Sequence, residues 1–125
     1  MNQELFEKGL KVRREIAGAD VVDNLLKSAD EFSMPMQELL TEFCWGEVWS
    51  RPELDRRSRS ILNLGMIAAL NRSEELAAHI RIAIKNGLTK EEIRECFLQV
   101  AVYVGMPAAL SCFKIARQVF DEPKS

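Results

Sequence analysis

The sequence contains a single histidine, His79, and only three cysteines, Cys44, Cys96 and Cys112, which form no CxxC motif. Zinc and iron sites usually draw on several histidine or cysteine ligands, so neither metal has local support here. A redox dithiol lacks support for the same reason. We therefore interpret the three cysteines as small buried apolar residues of a protein kept in a reduced compartment, and we expect no metal.

Long apolar runs and an excess of basic residues are also missing. No stretch reaches the roughly 18 consecutive apolar residues of a membrane span, and residues 1–18 are charged throughout, unlike a signal peptide. Lysine and arginine number 17 against 19 aspartate and glutamate, a formal net charge of −2. Nucleic-acid-binding proteins favour a basic face instead. We expect a cytoplasmic protein whose partners include neither membrane nor nucleic acid.

What the sequence does contain is helical periodicity. Its 125 residues are the length of one domain, and a hydrophobic fraction of 47% is enough for a core. Apolar residues recur with the 3.6-residue period of helices, and no alternating strand pattern is evident. We predict an all-α fold of six or seven helices in a single domain over residues 1–125. The predicted helices cover residues 2–17, 19–32, 33–49, 56–70, 73–86, 90–104 and a last segment from the turn at Pro107 to about 120.

Capping and stop residues mark several of these boundaries. Thr89 and Glu92 have the spacing of a capping box, which predicts the start of a helix. Asn71 and the pair at 86–87, Asn followed by Gly, are typical helix ends. Ser33 is a favoured N-cap residue before the helix over 33–49.

Two segments are apolar on almost every side, residues 61–70 and residues 100–110. A helix that is apolar all round must be buried all round. In a chain this short, such helices are either central to the fold or packed against another subunit. We therefore expect a homo-oligomer.

Charged residues cluster between the two tryptophans and the first apolar segment. Arg59 shares a helix face with Asn63 at the edge of an otherwise apolar stretch. An arginine led into a core needs an anionic partner, which here could be Glu47, a residue of another subunit or a ligand carboxylate. Arginine suits a carboxylate because its planar fork bonds both oxygens.

The single histidine lies four residues after a carboxylate. Glu75 and His79 are one helical turn apart, so their side chains can touch. The carboxylate raises the pKa of a histidine and burial lowers it, so the pair can titrate near neutrality. The spacing alone fits an ordinary contact on a helix surface as well as an acid–base pair.

Residues 43–120 resemble the 4-carboxymuconolactone decarboxylase family. The most specific segments are WGEVWSRPELDRRSRS, ELAAHIRIAIKNGLT and YVGMPAA. The wider superfamily includes alkylhydroperoxidases, which carry a CxxC four residues before a histidine. Glu75 and Arg72 occupy the two cysteine positions here. The resemblance thus implies the decarboxylase branch, an alkylhydroperoxidase-like fold and a hexamer built as a trimer of dimers.

The reaction implied by the resemblance is the cofactor-free decarboxylation of 4-carboxymuconolactone to 4-oxoadipate enol-lactone, in the catabolism of aromatic compounds such as protocatechuate. The substrate is a dicarboxylate lactone, so the site must hold two carboxylates and deliver one proton. His79 is the expected proton donor, kept cationic by Glu75, with Glu47 in the relay or orienting an arginine. The expected substrate-binding residues are Arg51, Arg59, Arg72, Trp45, Trp49, Tyr103 and Gln99. At the position of Gln99 many relatives have a histidine.

Three alternatives remain open. The first is a related carboxylated lactone as substrate. The second is a thiol-dependent, peroxidase-like redox protein, which would need a reactive cysteine. The third is an oligomeric binding protein that holds a small carboxylate without turning it over.

Overall fold

The computed structural model describes residues 1–123. Within that range it contains helices and turns but no strand, so the predicted all-α class is confirmed. None of the helices in the described range is long and apolar enough to cross a membrane. The helices are α1 (Gln3–Ala17), α2 (Ala19–Ser28), α3 (Met34–Leu39), α4 (Arg56–Leu70), α5 (Ser73–Lys85), α6 (Lys90–Tyr103) and α7 (Met106–Phe120), with a π-helix (Leu40–Trp49) that continues α3 directly.

The boundary signals identified in the sequence agree with these helices. Thr89 Oγ1 accepts a hydrogen bond from the Glu92 amide at 3.1 Å, and Glu92 Oε1 accepts one from the Thr89 amide at 3.0 Å. Asn71 (φ 58°) and Gly87 (φ 100°) adopt the left-handed conformation that ends a helix. The helix predicted over residues 19–32 already ends at Ser28, and every other predicted end lies within one residue of the observed one.

The chain forms two compact units, an N-terminal unit (Met1–Asp55) and a C-terminal unit (Arg56–Ser125). The N-terminal unit contains α1 to α3 and the π-helix, and the C-terminal unit contains α4 to α7. Their behaviour as one domain over residues 1–125 stays a prediction.

In the N-terminal unit, α1 and the π-helix approach each other closely enough to exclude side chains from the crossing. A Cβ on Gly9 would overlap the carbonyl oxygen of Thr41, and one on Gly46 would lie 2.8 Å from the carbonyl oxygen of Leu5. Glycine is therefore required at this crossing for space rather than for backbone freedom.

The same unit buries a charged side chain. Arg13 is 4% exposed, and its Nη1 donates hydrogen bonds to Gln37 Oε1 at 2.9 Å and to Thr41 Oγ1 at 3.1 Å. Desolvation lowers the pKa of the Arg13 guanidinium below its ordinary value. A buried cation is costly unless its protons are bonded, so these two neutral partners fix where α1 meets α3 and the π-helix.

The buried core of the C-terminal unit is apolar except for Ser60, whose hydroxyl accepts a hydrogen bond from Asn86 Nδ2. Leu76, Ile80 and Ala83 of α5 face it as the periodicity predicts. The same periodicity predicts that Ile84 also faces the core. This prediction is wrong, because the Ile84 side chain is 43% exposed and Ile82 is buried instead. The remaining buried core residues of this unit are Leu64, Ala68, Leu88, Ile93, Phe97, Val100, Ala109, Cys112, Ala116 and Val119.

The two apolar segments are not buried all round within the chain. Tyr103 is 78% exposed, Val102 73% and Leu110 71%. A place at the centre of the fold is therefore wrong for both segments, since only one side of each faces the core. Packing against another subunit remains the other explanation. The exposed large apolar residues of the two segments are Ile61, Leu62, Met66, Leu70, Val102, Tyr103, Val104, Met106 and Leu110.

Candidate active site

The candidate site is built around His79, in the middle of α5. Two residues of this helix that face the core, Leu76 and Ile80, are buried. Because His79 immediately precedes Ile80, it lies at the edge of the core stripe and is half-buried. Glu75 lies in the first turn of α5, where a carboxylate also offsets the positive end of the helix dipole.

Burial decides the protonation state of this histidine. Desolvation lowers the pKa of His79 from its ordinary value of 6.5, and the charge of Glu75 offsets only part of that change. The expectation that Glu75 keeps His79 cationic is therefore wrong for the free chain. Near pH 7 the imidazole is neutral, with one ring nitrogen that donates and one that accepts.

The neighbouring helix supplies a polar group to the imidazole. Asn63 of α4 places its amide Nδ2 3.5 Å from His79 Nδ1, and both side chains are half-buried. A second amide contact lies at the end of α5, where Nδ2 of the C-cap residue Asn86 donates a hydrogen bond to Oγ of Ser60 in α4 at 2.9 Å. The position of His79 relative to α4 is thus fixed by polar contacts as well as by the core.

Two of the predicted arginines belong to the same unit as His79. Arg59 is half-buried and lies one turn before Asn63, so the two residues share a face of α4. Arg72 is exposed and immediately precedes α5. Arg57 lies in the first turn of α4, where the sequence predicts a solvated side chain; it instead forms an ion pair with Glu92 of α6.

Gln99 and Tyr103 line a different feature, a groove of about 660 Å³ between α4 and α6. Its wall is mostly apolar, and its charged lining residues are the carboxylates Glu92 and Glu95. His79 is not among the lining residues. A groove with this lining suits an apolar surface better than a dicarboxylate.

The remaining predicted residues belong to the N-terminal unit. Trp45 and Trp49 are buried and stack with ring centroids 5.1 Å apart, which agrees with a core role. The indole Nε1 of Trp45 is buried without a hydrogen-bond partner in the described chain. Glu47 is exposed, and Arg51 lies 3.6 Å from Glu53 at the surface.

The cysteines do not resemble reactive thiols. Cys112 is buried, and Cys44 and Cys96 are half-buried. Burial raises the pKa of all three thiols from 9.0, so they stay protonated near pH 7, whereas the thiolate is the reactive form. Among residues 1–123, no three histidine, cysteine or acidic side chains gather as metal ligands.

Asn63 is the site residue that the sequence reasoning missed. The sequence pattern indicates only that Asn63 shares a helix face with Arg59. The available signal was its isolation, since Asn63 is the sole polar residue in ILNLGMIAAL, residues 61–70. A polar side chain kept in an apolar helix usually has a buried partner.

Comparison with known proteins identifies the family. The model of the carboxymuconolactone decarboxylase family matches residues 35–118. The chain belongs to the carboxymuconolactone decarboxylase family. It is accordingly a decarboxylase, a carboxy-lyase, and the resemblance noted in the sequence is confirmed.

Three relatives extend along almost the whole chain. The nitrosuccinic acid decarboxylase npaB of Metarhizium robertsii is 43% identical over 122 residues, covering 98% of this chain and 85% of the relative. The 4-carboxymuconolactone decarboxylase of Acinetobacter baylyi is 36% identical over 121 residues, covering 97% and 90%. An uncharacterized 15.0 kDa protein of Paracoccus denitrificans, from the nqo9–nqo10 intergenic region, is 29% identical over 130 residues, covering 96% and 93%.

Proposed function

We propose that this member of the family decarboxylates 4-carboxymuconolactone to 4-oxoadipate enol-lactone without a cofactor, in the catabolism of aromatic compounds in the cytoplasm. The observation that carries the proposal is the single half-buried histidine, His79, which has Glu75 one turn away and Asn63 on the next helix. The 36% identity to a 4-carboxymuconolactone decarboxylase supports this substrate.

The substrate supplies its own electron acceptor. When the bond to the departing carboxylate breaks, its electron pair moves through the ring double bond to the lactone carbonyl oxygen. A 2-oxyfuran-like dienolate results, and protonation of the carbon next to the carbonyl gives the enol-lactone. The protein must therefore hold a dianion, stabilise the developing oxyanion and deliver one proton.

His79 is the proton donor in this proposal. Because burial leaves its imidazole neutral in the free chain, binding of the dianion must raise its pKa and bring a proton to the ring. Glu75 acts in the same direction, since its charge also raises that pKa. The imidazolium then transfers its proton to the substrate carbon and returns to the neutral form.

The other predicted residues are assigned to substrate binding or to the proton relay, some on their position in the structure and some on the resemblance alone. Arg59 and Arg72 hold the substrate carboxylates, supported by their positions one turn before Asn63 and immediately before α5. On the resemblance alone, Arg51 is assigned to binding a substrate carboxylate. On the same ground, Glu47 is assigned to the proton relay or to orienting an arginine. Gln99, Tyr103, Trp45 and Trp49 are assigned to the pocket wall on the same ground.

A second substrate, nitrosuccinic acid, is favoured by the 43% identity to a decarboxylase of that name. The two substrates present the same chemical problem. Each is a dicarboxylic acid that loses one carboxylate, and the electron pair of the broken carbon–carbon bond is delocalised onto oxygen. In nitrosuccinic acid, these are the oxygens of the nitro group. The resulting nitronate takes up one proton at carbon, so the same histidine chemistry applies.

The test measures CO2 release from each acid by purified protein in the presence of a chelator, with any histidine tag removed. We expect His79→Ala to lower turnover by about 10²- to 10⁴-fold, the usual worth of general acid catalysis. Lys85→Ala, an exposed change on the same helix, is the matched control and should leave turnover unchanged. Folded protein that releases no CO2 from either acid would contradict the proposed substrates, and normal turnover in His79→Ala would contradict the role of His79.

We also propose that the chain forms a homo-oligomer, a hexamer built as a trimer of dimers. The support is the set of exposed apolar side chains on α4, α6 and α7, which include Tyr103 and Leu110. Large apolar side chains exposed in such number favour an interaction site. Light scattering after size-exclusion chromatography gives the mass directly, and a monomer would contradict the proposal.

A further inference from the structure

The contact between Asn63 and His79 has a direction that the chemistry of the amide determines. Nδ2 of asparagine carries two protons and no lone pair available to accept, so it can only donate. With the amide in this orientation, His79 Nδ1, 3.5 Å away, is the acceptor. A neutral imidazole with an accepting Nδ1 carries its proton on Nε2.

We propose that Asn63 is a positioning residue that selects the Nε2–H tautomer of His79 and thereby makes Nε2 the nitrogen that faces the substrate. The catalytic meaning of this assignment rests on the proposed role of His79 as proton donor. The assignment of the tautomer itself does not, because it rests on the orientation of the Asn63 amide, with Nδ2 towards the ring.

The surroundings of the two side chains support a specific pairing. Asn63 is the sole polar residue of its apolar segment, and both partners are half-buried, which reduces competition from water. The residues that follow them in sequence, Leu64 and Ile80, are fully buried in the core and hold the two helices in place. The amide is therefore fixed relative to the ring by packing that does not depend on the hydrogen bond.

Asparagine also suits the proton transfer, because its amide can serve both charge states of the ring. When the imidazole gains a proton, Nδ1 becomes a donor, and a rotated Asn63 amide can present Oδ1 to it. In the transfer, the Nε2–H bond breaks, the carbon–hydrogen bond of the product forms, and the neutral ring is left with its proton on Nδ1, donated to Oδ1 of Asn63. Proton exchange with solvent, which adds a proton at Nε2 and removes the one on Nδ1, then restores the Nε2–H tautomer. Leucine could serve neither state, and aspartate would favour only a protonated Nδ1.

The test uses the fact that His79 is the only histidine of the chain. Protein labelled with ¹⁵N in its histidine ring gives one pair of ring signals, once any tag is removed, and their chemical shifts identify the protonated nitrogen. At pH 8 we expect the wild type to show a protonated Nε2 and a bare Nδ1. Asn63→Leu should give a mixture of tautomers, and Asn63→Asp should move the proton to Nδ1.

Asn86→Ala is the matched control, since it removes the other amide bond between these elements, to Ser60, and leaves Asn63 intact. The control should keep the wild-type tautomer. A protonated Nδ1 in the wild type would overturn the proposal, as would ring signals that are the same in the wild type, Asn63→Leu and Asn63→Asp. Because the wild-type spectrum already decides the direction of the bond, the test survives a variant that fails to fold.

Kinetics then separate this proposal from the proposed function. We expect Asn63→Leu to lower kcat by about tenfold, the worth of roughly one hydrogen bond, with little change in KM. A kcat equal to the wild-type value would overturn the positioning role even if the tautomer changed. If His79→Ala retained full turnover, the proposed function would fail, while the spectra would still report the pairing.

Discussion

The two units of this protein are specified by different kinds of residue. In the N-terminal unit, the decisive contacts are polar or involve glycine: buried Arg13 with Gln37 and Thr41, and Gly9 against the π-helix. In the C-terminal unit, the core is a continuous set of apolar side chains, and the helix ends follow standard caps. The N-terminal unit thus depends on a few contacts that only one residue type can make. The C-terminal unit depends on many apolar contacts, each of which another apolar residue of similar volume could make.

This difference has an energetic consequence. Apolar cores tolerate substitutions that conserve volume, because the hydrophobic effect is not directional. Close backbone approach and buried polar bonds have no such tolerance, since the geometry must be met by one residue type. The N-terminal unit should therefore be the more sensitive of the two to conservative change.

The largest expected effect comes from one methyl group placed in each unit. Gly9→Ala would push a Cβ into the Thr41 carbonyl oxygen, so we expect a loss of about 3 kcal/mol or more in the free energy of unfolding. Gly65→Ala in α4 meets no atom within 4 Å and should stabilise by up to about 1 kcal/mol, because alanine is the better helix former. Urea unfolding at one protein concentration measures both. Equal effects of the two substitutions would contradict the comparison.

The next effect contrasts a buried arginine with an exposed one. Arg13→Ala removes two buried hydrogen bonds and leaves a cavity, so we expect a loss of about 2–4 kcal/mol. Arg81→Ala removes a two-pronged pair with Glu122 at the surface, where solvent screens the charges, and should change stability little. The same unfolding experiment applies. A larger loss for Arg81→Ala would show that ion pairs at the surface, rather than buried polar bonds, hold this protein together.

The contrast between the units also explains what the sequence could predict. The capping box at Thr89 and the stop at Gly87 are local signals, and both were predicted correctly. The buried Arg13 and the π-helix were not, because they depend on which helix crosses α1 and not on any pattern within one segment. Ile84 was misplaced for a related reason, since periodicity gives the direction of a face but not its width.

The candidate site was predictable to the same extent. His79 and Glu75 follow from their spacing on one helix, and the structure keeps them together in α5. Asn63 comes from another helix, so no spacing could reveal it. The sign of the change in the pKa of His79 was left open, because the sequence shows that Glu75 is charged but not how deeply the ring is buried, and burial proves the larger effect.

A third prediction tests whether local signals stabilise the C-terminal unit to the expected extent. Thr89→Ala removes the side-chain half of the capping box, so the free energy of unfolding should fall by about 1 kcal/mol. Thr89→Ser keeps a hydroxyl that can accept the same bond and should stay close to the wild type. Urea unfolding of the two variants side by side measures the difference. A loss as large as that of Arg13→Ala would mean that this unit, too, depends on a single polar contact.

The smallest effect is the contribution of histidine titration to stability, which only the C-terminal unit can supply, since the N-terminal unit has no histidine. Burial holds the pKa of folded His79 below 6.5, so from that pH downward the unfolded chain binds more protons than the folded one. The free energy of unfolding must then decrease as the pH falls from 7 towards 5. His79→Gln removes this contribution, so the stability of the variant relative to the wild type should rise as the pH falls from 7 towards 5. Carboxylates titrate alike in both proteins, so their contributions cancel in the difference. If the relative stability of the variant fell instead, Glu75 would raise the pKa of His79 more than burial lowers it, and the free protein would hold His79 as a cation.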